Sequence, residues 1–143
     1  MYCVHVERAC FPGDCTQFNV ILFTLCVFLD NLKMSAKVDQ ALEHVREAEK
    51  ALKTGFFKWN PDFDTAASEY TKAANCFKLG NLPEKCKDSY LKAADMQEKL
   101  GNLFHSAKLL TLAAGVASDL DRMDEAVNLM EKAGILYRYG NLC

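Results

Sequence analysis

Cys3, His5, Cys10 and Cys15 group thiol and imidazole side chains near the start of the sequence. Thiolates with an imidazole are a donor set for soft or borderline metals. Their spacing argues against a site, because structural zinc usually takes its ligands as close pairs and none of the seven cysteines forms a C-x-x-C pair. Reduced thiols of a cytosolic protein account for the cysteines, with Cys76 and Cys86 packing as small hydrophobes. His5, His44 and His105 stand far apart, with no partners at metal or catalytic spacing. No Gly-rich phosphate loop, G-x-S-x-G elbow or H-E-x-x-H pair occurs. The residues predict no enzyme, no metal and no cofactor.

Recognition chemistry is concentrated instead in Thr54-Gly55-Phe56-Phe57-Lys58-Trp59-Asn60-Pro61-Asp62. Gly55 and the Asn60-Pro61 step both end helices, so this segment is predicted to be a loop. A connector that only turned the chain would be polar. Two explanations stand side by side. In one, Phe56, Phe57 and Trp59 fold back and cap the first core layer, as large aromatics generally do. In the other they dip into a membrane, with Trp59 at the interface and Lys58 near the head groups. Burying one Phe contributes about 1.5–3 kcal/mol at most. Two or three give a membrane affinity near that of one fatty chain, about 10⁴ M⁻¹. Such a loop reinforces attachment to a partner already on the membrane and does not hold a protein there alone.

Helices must position that loop, and the sequence repeats to supply them. Ala-rich segments begin at Lys72, Lys92, Leu112 and Lys132, spaced by 20 residues each time. That length suits one helix of four to five turns plus a short turn. Phe63, Ala66, Ala67, Tyr70, Ala73, Ala74 and Phe77 form a single apolar stripe at helical spacing. Val38, Ala41, Leu42, Val45, Ala48 and Leu52 form another. Gly80, Gly101 and Gly140 suit left-handed residues beyond helix ends, each followed by Asn, a good N-cap or turn residue. The pattern predicts helices near 36–54, 62–79, 83–100, 103–119 and 123–139. The fold class is all-α, a TPR-like α-solenoid of antiparallel helix hairpins.

Composition agrees with one soluble domain: 143 residues, half of them apolar, a quarter charged, net charge −2. That average charge does not point to nucleic acid. Residues 1–33 differ in kind. Val20 to Leu29 (VILFTLCVFL) is too short to span a bilayer, and its flanks fit a signal peptide poorly. Met34 opens MSAKVDQALEHVREAEKAL, which reads as a natural start. Residues 1–33 are therefore expected to be an atypical extension, either a misassigned start or a disordered head, with a hydrophobic anchor as the alternative.

Glu43 to Lys78 (EHVREAEKALKTGFFKWNPDFDTAASEYTKAANCFK) resembles the first helix, hydrophobic loop and second helix of the soluble NSF-attachment protein (SNAP) adaptors. TGFFKW followed by PDFD and AASEY is closer to the gamma type than to alpha or beta. The resemblance implies a right-handed superhelix of helix hairpins ending in a globular bundle, and an adaptor in intracellular vesicle-mediated transport and membrane fusion, ER–Golgi transport included. Its implied partners are the SNARE complex, of syntaxin type, and the ATPase N-ethylmaleimide-sensitive factor, on the cytosolic face of membranes. Phe56 and Phe57 match the family's membrane-contacting loop, and Lys58 and Trp59 extend it. Lys72, Lys85, Lys87, Lys92 and Lys108 are the candidates for a SNARE-facing basic surface. Residues 34–143 correspond to the N-terminal part of the family's domain, short of the bundle that contacts the ATPase, so the chain as written is not expected to stimulate disassembly. The apolar side of 123–139, with Ile135, Leu136 and Tyr139, is expected to be left partly uncovered. The alternative reading is a generic TPR-like interaction scaffold without a membrane role.

Overall fold

The computed structural model describes residues 15–54 and 60–140, the side chains of 15–19 excepted. Among the described residues it holds five helices and no strand. These are α1 (Cys15–Leu52), α2 (Phe63–Leu79), α3 (Pro83–Lys99), α4 (Leu103–Asp119) and α5 (Met123–Gly140). Two compact units divide the chain, Met1–Lys33 and Met34–Cys143.

α1 is longer than its apolar stripe predicts. It runs back to Cys15, because no Gly or Pro lies between Cys15 and Leu52 to stop it. Residues 15–33 thus belong to α1. Within the second unit, α2 starts on a side-chain cap. The Asp62 carboxylate accepts the Thr65 N–H at 3.0 Å and the Thr65 hydroxyl at 2.7 Å. α3 opens with Pro83, where a missing N–H costs nothing.

The 20-residue period reappears in the turns. Leu82, Asn102 and Arg122 donate their N–H groups to the carbonyls of Phe77, Gln97 and Ala117. Asn81, Gly101 and Asp121 donate theirs to Lys78, Glu98 and Ser118. This is the Schellman arrangement, made three times. Its left-handed residue is Asn81 (φ 55°), Gly101 (φ 78°) and Asp121 (φ 58°). Gly80 is therefore not left-handed (φ −82°), contrary to the sequence pattern. Another demand selects it: a Cβ at Gly80 would lie 2.8 Å from Val38 Cγ2 on α1. Gly140 likewise ends α5 as part of the helix. Asn102 occupies the N-cap of α4 without a capping bond, its amide donating to Gln97 Oε1 at 3.0 Å instead.

The core is a seam of alanines closed by a few large side chains. Ala41, Ala73, Ala74, Ala113 and Cys86 pack with Phe77, Tyr90 and Val116. Ala48, Ala51, Ala66, Ala67 and Ala93 pack with Tyr70 and Met96, and Ala94, Ala107 and Ala133 pack with Leu110. Small residues let neighbouring helices approach closely while the rings fill the gaps. α3 is tied in parallel to α5 and to Arg122 just before it by Glu84–Arg122 (2.9 Å), Lys87–Glu125 (2.8 Å) and Glu98–Lys132 (3.0 Å). That pairing of alternate helices is what stacked hairpins produce. The architecture is an all-α hairpin solenoid. Leu42 departs from its stripe and is exposed. On α5, Ile135 and Tyr139 are exposed and Leu136 is half-buried.

Candidate partner-docking surface

Phe63, Tyr70 and Phe77 on α2 recur every seven residues, as do Lys85, Lys92 and Lys99 on α3, and the two rows mirror each other about Asn81. Antiparallel packing turns that symmetry into a ladder. Lys85 Nζ lies 5.8 Å from the Phe77 ring centroid, Lys92 5.6 Å from Tyr70, and Lys99 5.6 Å from Phe63. The aliphatic stems cover the rings while the ammonium groups stay in water. Burial pushes the Tyr70 phenol up from its ordinary value. Asp88 and Asp95 are exposed between these lysines, and Asp95 pairs with Lys99 at 3.4 Å. The exposed face of α3 therefore carries alternating charge.

On α2, Glu69 holds two partners at once, Lys72 Nζ at 2.6 Å and His44 Nδ1 of α1 at 2.7 Å. The Lys72 hydrogen bond, helped by His44 and opposed by burial, holds the Glu69 carboxyl below its usual range. Lys87 is buried, unlike the other candidate lysines. It donates to both oxygens of Glu125, at 2.8 and 2.9 Å, and lies 3.7 Å from Glu84. That hydrogen bond is the main cause of the lowered Glu125 pKa. Lys87 is a correction to the candidate surface, since a side chain enclosed between α3 and α5 is not available to a partner.

Lys108 is the one candidate lysine with neither a carboxylate nor a ring against it among the described residues. It borders a cleft of about 310 Å³ with Thr71 and Asn75 of α2, Tyr90 and Gln97 of α3, and His105, Leu109 and Leu112 of α4. Tyr90 donates its hydroxyl to Asn75 Oδ1 at 2.7 Å, which fixes the orientation of both. Hydrogen-bonding groups, a cationic edge and the half-exposed Leu112 converge there, the mixture a protein-docking groove requires.

The structure thus groups Lys85 and Lys92 in one row with Lys99, places Lys108 on a separate cleft, and withdraws Lys87. Phe56, Phe57, Lys58 and Trp59 lie outside the described residues, as do Cys3, His5 and Cys10. Among the described residues, no three His, Cys, Asp or Glu side chains group as a metal site, and no helix is long and apolar enough to cross a membrane. The Cys86 thiol is buried and pushed up in pKa, which makes it unreactive. Sequence reasoning missed Lys99, whose signal was its seven-residue spacing from Lys92. It also missed the His44–Glu69 contact, which has no signature in the chain.

A family model described as "Soluble NSF attachment protein, SNAP" matches residues 39–142, nearly the whole of the second unit. The chain belongs to the SNAP family. Among curated SNAP proteins, it is 31% identical over 109 residues to the gamma-soluble NSF attachment protein of Dictyostelium discoideum, covering 76% of this chain and 33% of that one. The gamma protein of Arabidopsis thaliana is 32% identical over 104 residues, covering 73% and 35%. An alpha-soluble NSF attachment protein of Vitis vinifera is 27% identical over 104 residues, with the same coverage. The affinity is with the gamma type. The chain spans about a third of the length of these SNAP relatives.

Proposed function

We propose that this chain works as a non-enzymatic adaptor in vesicle-mediated transport, docking SNARE complexes on its solenoid in support of the ATPase N-ethylmaleimide-sensitive factor. The observation that carries this reading is the family match over residues 39–142, which coincides with the stacked hairpins. The family resemblance implies contact along a four-helix SNARE bundle, and a solenoid offers an extended face to lie along such a rod. Lys85, Lys92 and Lys108 supply exposed cations for that contact, and Lys72 shares its charge with Glu69.

The Phe56-Phe57-Lys58-Trp59 loop is assigned to membrane contact at the cytosolic face. It adds weak lipid affinity to a chain already held by its protein partner.

Pull-down of the full chain with assembled SNARE bundles tests the docking. Retention that falls about tenfold with Lys92→Glu and Lys108→Glu together is the expected result. Absence of retention by the unmodified chain removes the SNARE reading and leaves a scaffold for other partners. Vesicle flotation of Phe56→Ser/Phe57→Ser, with a small drop in membrane recovery expected, tests the loop separately.

A further inference from the structure

Val20 to Leu29, within the Met1–Lys33 unit, is unlike the other helical stretches among the described residues. Val20, Ile21, Leu22 and Phe23 are consecutive, so they point about 100° apart around the axis, and each is 53–72% exposed. Leu25, Val27, Phe28 and Leu29 are exposed as well. α2 to α5 each show charged residues on their exposed sides, whereas residues 20–29 contain none.

A helix apolar on all sides needs cover on all sides. A groove, or a second copy packed along it, covers one stripe and leaves the opposite one in water. Lipid chains surround a helix completely. Polar atoms within the stretch are already satisfied, as lipid demands. The Thr24 hydroxyl lies 2.8 Å from the Val20 carbonyl and 2.9 Å from that of Ile21.

Length and charge fix the orientation. Ten residues rise about 15 Å, half of a hydrocarbon core roughly 30 Å thick. Glu7, Arg8 and Asp14 precede the stretch, and Asp30 and Lys33 follow it. Crossing would draw one charged flank through the bilayer. Lying flat below the head groups leaves both flanks at the same surface.

We propose that residues 20–29 of α1 form a monotopic anchor, embedded parallel to the surface in one leaflet of a lipid bilayer. In sequence, these residues are distinct from residues 55–59 and from the family match, which begins at residue 39.

The test is flotation of the full chain with vesicles of neutral phosphatidylcholine. Wild type is expected to float equally well at low salt and at about 1 M salt, since the attraction is apolar. Phe23→Ser/Leu25→Ser/Phe28→Ser is expected to lower the partition coefficient by about tenfold or more, with the thermal melt of the second unit unchanged. Phe56→Ser/Phe57→Ser, run alongside, is expected to retain most of the binding. In a Trp59→Phe background, the indole introduced by Phe28→Trp is expected to be quenched by lipids brominated on the acyl chain. Equal flotation of wild type and the triple variant overturns the proposal, as does loss confined to the loop variant. A lipid-indifferent dimer in sedimentation, monomeric in the triple variant, overturns it in favour of a second copy.

Discussion

Lys92 Nζ lies 5.6 Å from the centre of the Tyr70 ring, at the middle rung of a ladder whose outer rungs are Lys85–Phe77 and Lys99–Phe63. The two partners contribute unequally. Tyr70 is buried against Ala48, Ala51 and Ala93, whereas Lys92 is exposed. Tyr70→Ala is expected to cost about 3–5 kcal/mol, as for other large aromatics removed from a core. Lys92→Met keeps the stem and removes only the charge, for about 0.5–1 kcal/mol. Urea denaturation of both variants measures the ratio. A Lys92→Met loss as large as that of Tyr70→Ala contradicts the division of roles.

Gly80 and Val38 make a second pair, selected by space and not by backbone angle. A methyl group at Gly80 meets Val38 Cγ2 at 2.8 Å, and a β-branched side chain has few rotamers into which to retreat. Gly80→Ala is expected to destabilise by about 1–3 kcal/mol. Val38→Ala opens the space, so the double variant should be less destabilised than the two single losses added together. Strict additivity in that cycle would place the strain elsewhere.

Much of the helical body was legible because each element satisfies two periods at once. The stripe from Phe63 to Phe77 has helical spacing within a helix, and its Ala-rich segment recurs after 20 residues. Local chemistry alone misplaced the turns. Gly80-Asn81 reads as a glycine stop, yet Asn81 takes the left-handed angle, and at the corresponding position Asp121 does so with no glycine beside it. Lys87 was illegible for a different reason. A lysine looks exposed in any single helix, and its partner Glu125 lies 38 residues away on the next-but-one element. Only pairing residues about one hairpin apart would have exposed that bond, and Glu84–Arg122 has the same offset. Leu42 kept helical spacing but not burial, because α1 is the first helix of the second unit's array and its flanks are covered unequally.

The left-handed position at Gly101 provides a third test. With φ at 78° and open space around its Cα, the cost of a side chain there is conformational alone. Gly101→Ala is expected to lose about 1–2 kcal/mol. Gly101→Asn should lose less, because Asn tolerates this region and already occupies it at residue 81. Equal losses for Ala and Asn, read from melting temperatures, would point to a steric cause that the open space does not support.

Acid should weaken the α3–α5 seam through Glu125. Lys87, first by its hydrogen bond and then by its charge, and Arg122 behind it lower the Glu125 pKa from its ordinary value of 4.5. Glu84, which also faces Lys87 and Arg122, belongs to the same cluster. A carboxyl with a lowered folded-state pKa contributes its full stabilisation above the unfolded value and loses it as pH falls toward the folded one. Glu125→Gln should therefore melt lower than wild type at pH 7, with the gap closing progressively below pH 4.5. Lys87→Ala, which leaves Glu84 and Glu125 with the more exposed Arg122 as their remaining shared cation, should lower the melting temperature at pH 7 by roughly 5 °C. A wild-type–Glu125→Gln gap that stays constant from pH 7 down to pH 3 would mean that the ion pair contributes nothing to holding alternate helices together.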